Sequence, residues 1–217
     1  MRSLTLKHDG TSPLQILCVG AHSDDIEIGC GGTILRLAEQ YPNCVVYWVV
    51  LNAVGPRAEE ARRGAALFAG KNAIQDIVLK TFQDGFMPFV GGEVKAVFED
   101  LKGKVSPDII FTHNRGDSHQ DHRLVAELTW NTFRDHLVLE YEIPKYDGDL
   151  GQPSVFVPLA DEVCQKKVRY IMETFQSQHP KRWFTESTFL ALMRLRGVEC
   201  NAPSGYAEAF YSRKLVL

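Results

Sequence analysis

The sequence predicts a single α/β domain, a Rossmann-like, mostly parallel sheet with helices on both faces, and three observations carry this reading. Short apolar runs of strand length alternate with helical repeats in the order βαβαβαβα, and such alternation argues for parallel strands joined by right-handed crossovers. The 217 residues, 45% hydrophobic and 24% charged, suit one domain that buries roughly 70% of its unfolded surface. Two clusters of His and Asp each follow an apolar run, the place where open α/β sheets bind ligands.

Residues 1–13 read as a polar, frayed leader with a turn at Asp9-Gly10. Gln15 aside, Leu14 to Val19 is the first strand, apolar enough to be covered on both faces, and Gly20 and Ala21 leave room for a tight exit. Gly29, Gly31 and Gly32 then lead into a helix near Thr33 to Gln40, with Ile34, Leu37 and Ala38 at helical spacing. Cys44 to Leu51 is the second strand, and Arg57 to Ala69 a helix with Ala61, Ala65 and Phe68 inward and Glu59, Glu60, Arg62 and Arg63 toward water. Asp76 to Thr81 is the third strand, and Gln83 to Gly92 a loop holding Asp84-Gly85, Phe86 and Phe89. Val94, Val97, Phe98 and Leu101 mark a helix by their i, i+3, i+4, i+7 spacing. Asp108 to Thr112 is the fourth strand, and a helix follows from about Asp121 to Phe133 with Leu124, Val125 and Leu128 on one face.

Beyond residue 136 the pattern weakens. Leu137 to Ile143 reads as a strand and YDGDLGQP as a loop. Pro158 begins a helix with Cys164, Val168, Ile171 and Phe175 inward. Lys181 to Arg196 is helical in part, and Phe210 to Leu217 reads as an edge strand. No internal repeat, linker or low-complexity tract stands out.

Composition excludes several classes. A formal charge of −3 and a pI near 6.2 give no electrostatic footprint for nucleic acid. The longest apolar run, Cys44 to Leu51, is too short to span a membrane, and MRSLTLKHDG lacks the apolar core of a secretory signal. Five cysteines without a CxxC pair suggest reduced, buried thiols and a cytoplasmic location. GCGGT is not GxGxxG, and no GxxxxGK[ST] or GxSxG is present. Gly116-Asp117-Ser118 resembles the GDS of some serine esterases over three residues only, and Ser118 reads as loop.

The chemistry concentrates in Leu14 to Thr33, LQILCVGAHSDDIEIGCGGT, where His22, Asp24, Asp25 and Glu27 follow the first strand. A solvated loop can carry such carboxylates, and an Asp pair often caps a helix or makes a turn. A histidine and two aspartates at a buried strand's carboxyl end also form half a metal site, but two ligands three residues apart need a third to complete a catalytic zinc or iron sphere. His119-Gln120-Asp121-His122, after the apolar Ile109 to Phe111, is the candidate for the other half. A 2-His-1-carboxylate set also suits non-haem iron oxygenases. Those are expected on all-β jelly rolls with His-x-Asp spacing, whereas here the spacing is His-x-x-Asp in an alternating chain.

These motifs resemble a family. AHSDDIEIGCGGT is similar to the AHPDDE…GGT motif of the LmbE-like, PIG-L-type zinc-dependent N-deacetylases, and HQDH to their HxDH. RAEEARRGAALFAG resembles their Arg-x-x-Glu-Ala helix, and LKTFQDG a strand-to-loop segment ending in Asp-Gly. The likeness covers about residues 14–130, and 137–217 is then a variable substrate-side region. Ser23 stands where the family usually has Pro, which removes a rigid φ and leaves every ligand in place.

The resemblance implies that His22, Asp25 and His122 hold zinc, or ferrous iron in its place. It makes Asp24 the general base. His119 sits over the oxyanion or protonates the leaving amine, with Asp121 orienting it, while Arg57 and Asp84 contact substrate. The implied reaction removes an N-acetyl group from an amino sugar or its conjugate through a water activated at the metal. An esterase or phosphoesterase with the same site, and a non-catalytic sugar-binding protein, are the alternatives. The implied partner is the small acetylated molecule, and the oligomeric state is left open, homo-oligomers included.

Overall fold

Two-face burial shapes the sheet, because β1 (Gln15–His22) sends alternate residues into two separate cores. In the computed structural model, which describes residues 12–71 and 73–216, Ile16 and Cys18 enter one apolar cluster while Leu17, Val19 and Ala21 enter the other. The leader's Asp9-Gly10 turn lies outside the described residues. Following β1 are α1 (Asp25–Gln40), β2 (Val45–Asn52), α2 (Pro56–Phe68), β3 (Ile74–Leu79), α3 (Gly91–Lys102), β4 (Ile109–His113) and α4 (Gln120–Thr132). Beyond these come β5 (Leu137–Tyr141), β6 (Val155–Pro158), α5 (Asp161–Thr174), α6 (Glu186–Glu199) and β7 (Ala207–Tyr211).

The sheet order is β3-β2-β1-β4-β5-β7-β6. The strands from β3 through β5 pair in parallel, and β7 is antiparallel to both β5 and β6. The predicted mostly parallel sheet with helices on both faces is therefore what forms. Buried residues of α1, α2, α5 and α6 share the first core, and those of α3 and α4 the second. The chain passes from β1 outward to β3 and then returns to β4 on β1's other side. That reversal is the topological switch point at which doubly wound sheets bind ligands.

Three details depart from the sequence reading. The segment read as an edge strand over 210–217 forms instead at Ala207–Tyr211, inside the sheet between β5 and β6. The short strand Val155–Pro158, a partly buried run, covers it and becomes the edge. Most consequential for the site, α1 starts at Asp25 rather than near Thr33, so the glycines lie inside the helix.

Those glycines are contact surfaces. A Cβ on Gly29 would lie 2.2 Å from Cδ2 of Tyr141, one on Gly31 2.5 Å from Cε1 of Phe68, and one on Gly32 2.5 Å from Cδ1 of Leu159. The helix thus packs backbone-close against β5 and α2. Its middle is also gripped by a buried ion pair: Glu208 accepts from Gly32 N–H (2.8 Å) and Thr33 N–H (2.6 Å), while Lys167 donates to Glu208 (2.6 Å) and to the Ile28 carbonyl (2.6 Å). Tyr141 cannot retreat easily, since its hydroxyl donates to the Val19 carbonyl at 2.7 Å within the core. We expect Gly29→Ala to lose about 2 kcal/mol net, overpacking of about 3 kcal/mol outweighing the roughly 1 kcal/mol Ala gains in helix propensity. Chemical denaturation checks this, and a variant as stable as the parent contradicts it.

Candidate metal and catalytic centre

The parallel pairing of β1 with β4 runs from Ile16↔Ile109 to Cys18↔Phe111. It sets the loops after both strands side by side, so His22 at the end of β1 meets His122 in the first turn of α4. His22 Nδ1 lies 3.2 Å from His122 Nε2 and 3.3 Å from Asp25 Oδ2, and His122 Nε2 lies 3.6 Å from the same oxygen. Ligands about 2.1 Å from a tetrahedral zinc stand about 3.4 Å apart, so this triangle has the size the ion requires.

Protonation states agree with that use. Burial works against the Asp25 anion, yet the surrounding imidazoles of His122, His113 and His22 hold its carboxyl well below the usual range. Burial, reinforced by His113, lowers the His122 pKa and favours the neutral ring a metal needs. His122 Nδ1 stands 2.9 Å from Asp117 Oδ2. Because that carboxylate accepts a proton from Nδ1, it fixes the tautomer that leaves Nε2 free to ligate. Asp117 is pinned in turn by His119 N–H at 2.8 Å and Lys145 Nζ at 3.0 Å.

His22 is held differently. Its other nitrogen, Nε2, faces Asp84 Oδ1 at 3.0 Å and Asp121 Oδ2 at 3.4 Å. Burial opposes charge on the ring, but Asp25, Asp121 and Asp84 together raise its pKa well above the ordinary value. Asp84 is itself held down to about 2, first by its bond to His22. It stands beside Gly85, whose φ of 77° needs glycine and whose N–H donates to Asp121 Oδ2 at 2.7 Å.

The remaining expected residues fall around this centre with two changes of partner. The Asp121 carboxylate reaches His22, Gly85 N–H and Met87 N–H. It therefore orients His22, where the sequence reading paired it with His119. His119 caps α4 and receives the Asp121 backbone N–H on Nδ1 at 3.3 Å. A backbone N–H can only donate, so the neutral His119 ring carries its proton on Nε2. Burial, then the neighbouring His122 and His22, lower its pKa. Arg57, in the first turn of α2, forms an ion pair with Asp24 Oδ1. Glu60, one turn further along α2, accepts from Ser177 N–H and Oγ.

Two residues at the centre went unassigned from sequence. His113 ends β4 as His22 ends β1. It stacks on His122 with centroids 3.8 Å apart, lies 3.1 Å from Asp25 Oδ2, and accepts the Ala21 N–H on Nε2 at 3.0 Å. Its strand-end position was the available signal. Asp117 was hidden in the GDS triplet, and its place five residues before His122 marks it only once the loop's path is known.

The model of GlcNAc-PI de-N-acetylases matches residues 17–133. An uncharacterized deacetylase of Escherichia coli strain K12, YaiS, is 29% identical over 164 residues, 70% of this chain and 86% of that protein. Among solved structures, the N,N'-diacetylchitobiose deacetylase from Pyrococcus horikoshii superposes with a TM-score of 0.66 at 18% identity, covering 91% of this chain and 83% of its own. GalB, the 4-carboxy-2-hydroxymuconate hydratase from Pseudomonas putida KT2440, superposes with a TM-score of 0.68 at 18% identity over 94% and 98%. Since one neighbour is a hydratase, these superpositions speak for the fold, and the reaction must be argued from the site.

A proton held on His22 has to leave when a cation takes its place. Because the shift is upward, metal-free protein retains that proton between pH 6.5 and the higher folded value, so metal affinity rises with pH across that window. Calorimetry in two buffers of different ionisation enthalpy should show about one proton released per ion at pH 7. Binding without proton release would contradict the account of His22. With more than half of its length matching the family's model, the chain belongs to the PIG-L family of de-N-acetylases.

Proposed function

We propose that the protein is a metal-dependent N-deacetylase that hydrolyses the acetamide of an amino sugar or its conjugate. The observation that carries this reading is the ligand-sized triangle of His22, Asp25 and His122, flanked by an ion-paired acid and a tautomer-fixed histidine. Zinc or ferrous iron held by those three residues would supply Lewis acidity, polarising the amide carbonyl and acidifying water.

The chain's own groups do the rest. Asp24 accepts the proton of the attacking water, and Arg57 holds one of its oxygens so that the carboxylate keeps its direction. His119 presents Nε2–H to the oxygen on which negative charge develops, a donor already oriented before substrate arrives. The amine leaves as a neutral molecule once a proton reaches nitrogen, and Asp24, having taken one from water, can return it. Acetate and the free amine are the products.

Substrate-side features support a small polar molecule with an apolar portion. Phe86 and Phe89 are exposed on the Asp84 loop with ring centroids 5.9 Å apart, suited to stacking on a sugar face. The later region reaches the same edge, since Asp149 accepts the Ser118 N–H at 2.7 Å and Lys145 contacts Asp117. Among the described residues no helix is long and apolar enough to cross a membrane.

Acetate release from N-acetylhexosamines, their nucleotide-linked forms and small glycosides tests the reading, and a metal-loaded protein that cleaves esters but none of these amides would overturn it. Asp24→Asn should keep its metal and lose about 10²–10⁴ in kcat; turnover at the parental rate would remove Asp24 from the role of base. Arg57→Ala should lower kcat roughly tenfold or more by loosening Asp24, whereas an effect confined to KM would make Arg57 a substrate contact.

A further inference from the structure

Away from the candidate centre, the C-terminal half of α4 borders a surface cavity of about 540 Å³, a size within the roughly 300–1,000 Å³ of small-molecule sites. Three separate segments bring cations to it. Arg115 comes from the loop after β4, Arg134 from the exit of α4, and Arg213 and Lys214 from the tail beyond β7. All four are exposed, and among the described residues none of them forms an ion pair. Glu127 is the one carboxylate in the described lining. In a chain whose formal charge is −3, this is a local reversal of sign.

The floor is built from buried groups. Trp130 donates its Nε1–H to Glu140 Oε1, and Glu140 Oε2 accepts the Arg115 N–H at 2.9 Å, so one carboxylate fixes both the ring and the backbone of the loop. Arg213 Cζ stands 5.3 Å and Lys214 Nζ 5.7 Å from the centroid of the Trp130 ring, whose face attracts cations. Two of the four charges are thereby held against the cavity floor.

We propose that this cavity binds a small ligand through a phosphate group. The guanidinium fork matches phosphate oxygens two at a time, and a lysine adds a point charge. Even with the buried Glu140 counted beside Glu127, two positive charges are left over, which suits the charge of about −2 on a phosphomonoester. The cavity is larger than a bare phosphate fills, so an attached organic group has room.

A plainer account makes the cations a cap on the end of α4. Lys214 Nζ does donate to the Arg134 carbonyl, and Arg134 Nε to the Asn131 carbonyl at 3.2 Å, where positive charge meets the helix dipole. It leaves Arg115 and Arg213 without employment, since among the described residues neither guanidinium donates a hydrogen bond.

Phosphorus NMR titration of inorganic phosphate with chelator-treated, full-length protein separates the two accounts, because a metal-free chain offers the probe no ion at the candidate centre. The parent should bind phosphate saturably, one per chain, and Arg115→Gln and Arg213→Gln should each weaken binding about tenfold by removing a charge-assisted pair. Arg63→Gln, which removes an exposed cation from α2, should bind as the parent does. All three side chains are exposed, and circular dichroism confirms that each variant is folded. Glucose 6-phosphate and AMP carry the same dianion on different organic groups: tighter binding of either than of phosphate assigns the site to an ester, and tighter binding of phosphate assigns it to the free anion. Absence of saturable phosphate binding by the parent up to about 10 mM overturns the proposal. So does parental affinity in both Arg115→Gln and Arg213→Gln, or an equal loss in Arg63→Gln. Binding is read without turnover, so the result stands whether or not the protein cleaves an amide.

Discussion

The parallel pairing of β1 with β4 is the constraint on which the molecule's chemistry depends. His22 and His122 lie a hundred residues apart, and neither loop could hold an ion alone. Adjacent strands fix their separation because the two apolar segments are buried on both faces and have little freedom to slip in register. The lower end of the pair is tied as well, with Asp108 Oδ2 accepting from Gln15 N–H at 2.8 Å and Asp108 N–H donating to the Gln15 carbonyl at 2.8 Å. The upper end is left to the polar groups. It carries His22 and Asp25 on one side and His113, Asp117 and His122 on the other.

Position of α1 is the second requirement, since Asp24 caps it and Asp25 opens it. The glycines let the helix approach Tyr141, Phe68 and Leu159 at backbone distance, and Lys167 with Glu208 grips its middle turn. A buried ion pair is weak evidence for stability, because desolvation offsets much of the attraction. Here the pair's three hydrogen bonds to α1, from Gly32 N–H, from Thr33 N–H and to the Ile28 carbonyl, hold the helix in place along its axis. Helix α1, and with it the carboxylates, is thus located by packing far from the reacting atoms.

Much of this was legible in the sequence because the relevant signals are local. Apolar runs and helical spacing gave the order of elements, and a histidine or aspartate directly after such a run is a mark that needs no tertiary information. What could not be read depends on contacts between distant segments. The glycine triplet in α1 resembles a loop until Tyr141, Phe68 and Leu159 are known to press on it. Nothing near Ala207–Tyr211 reveals that Val155–Pro158 will shield it from the edge. The partners of Asp121 and Arg57 likewise depend on how Gly85 turns and how α2 sits over Asp24. Residue types at the centre were recoverable from spacing, but the hydrogen bonds that set their tautomers and directions were not.

The central claim is that His22, Asp25 and His122 hold the ion that makes the reaction possible. Anomalous diffraction at the zinc edge, from crystals carrying one equivalent of zinc, tests it most directly. The account predicts one strong peak about 2.1 Å from His22 Nδ1, Asp25 Oδ2 and His122 Nε2. A peak centred elsewhere, or none in protein that still releases acetate, would contradict it.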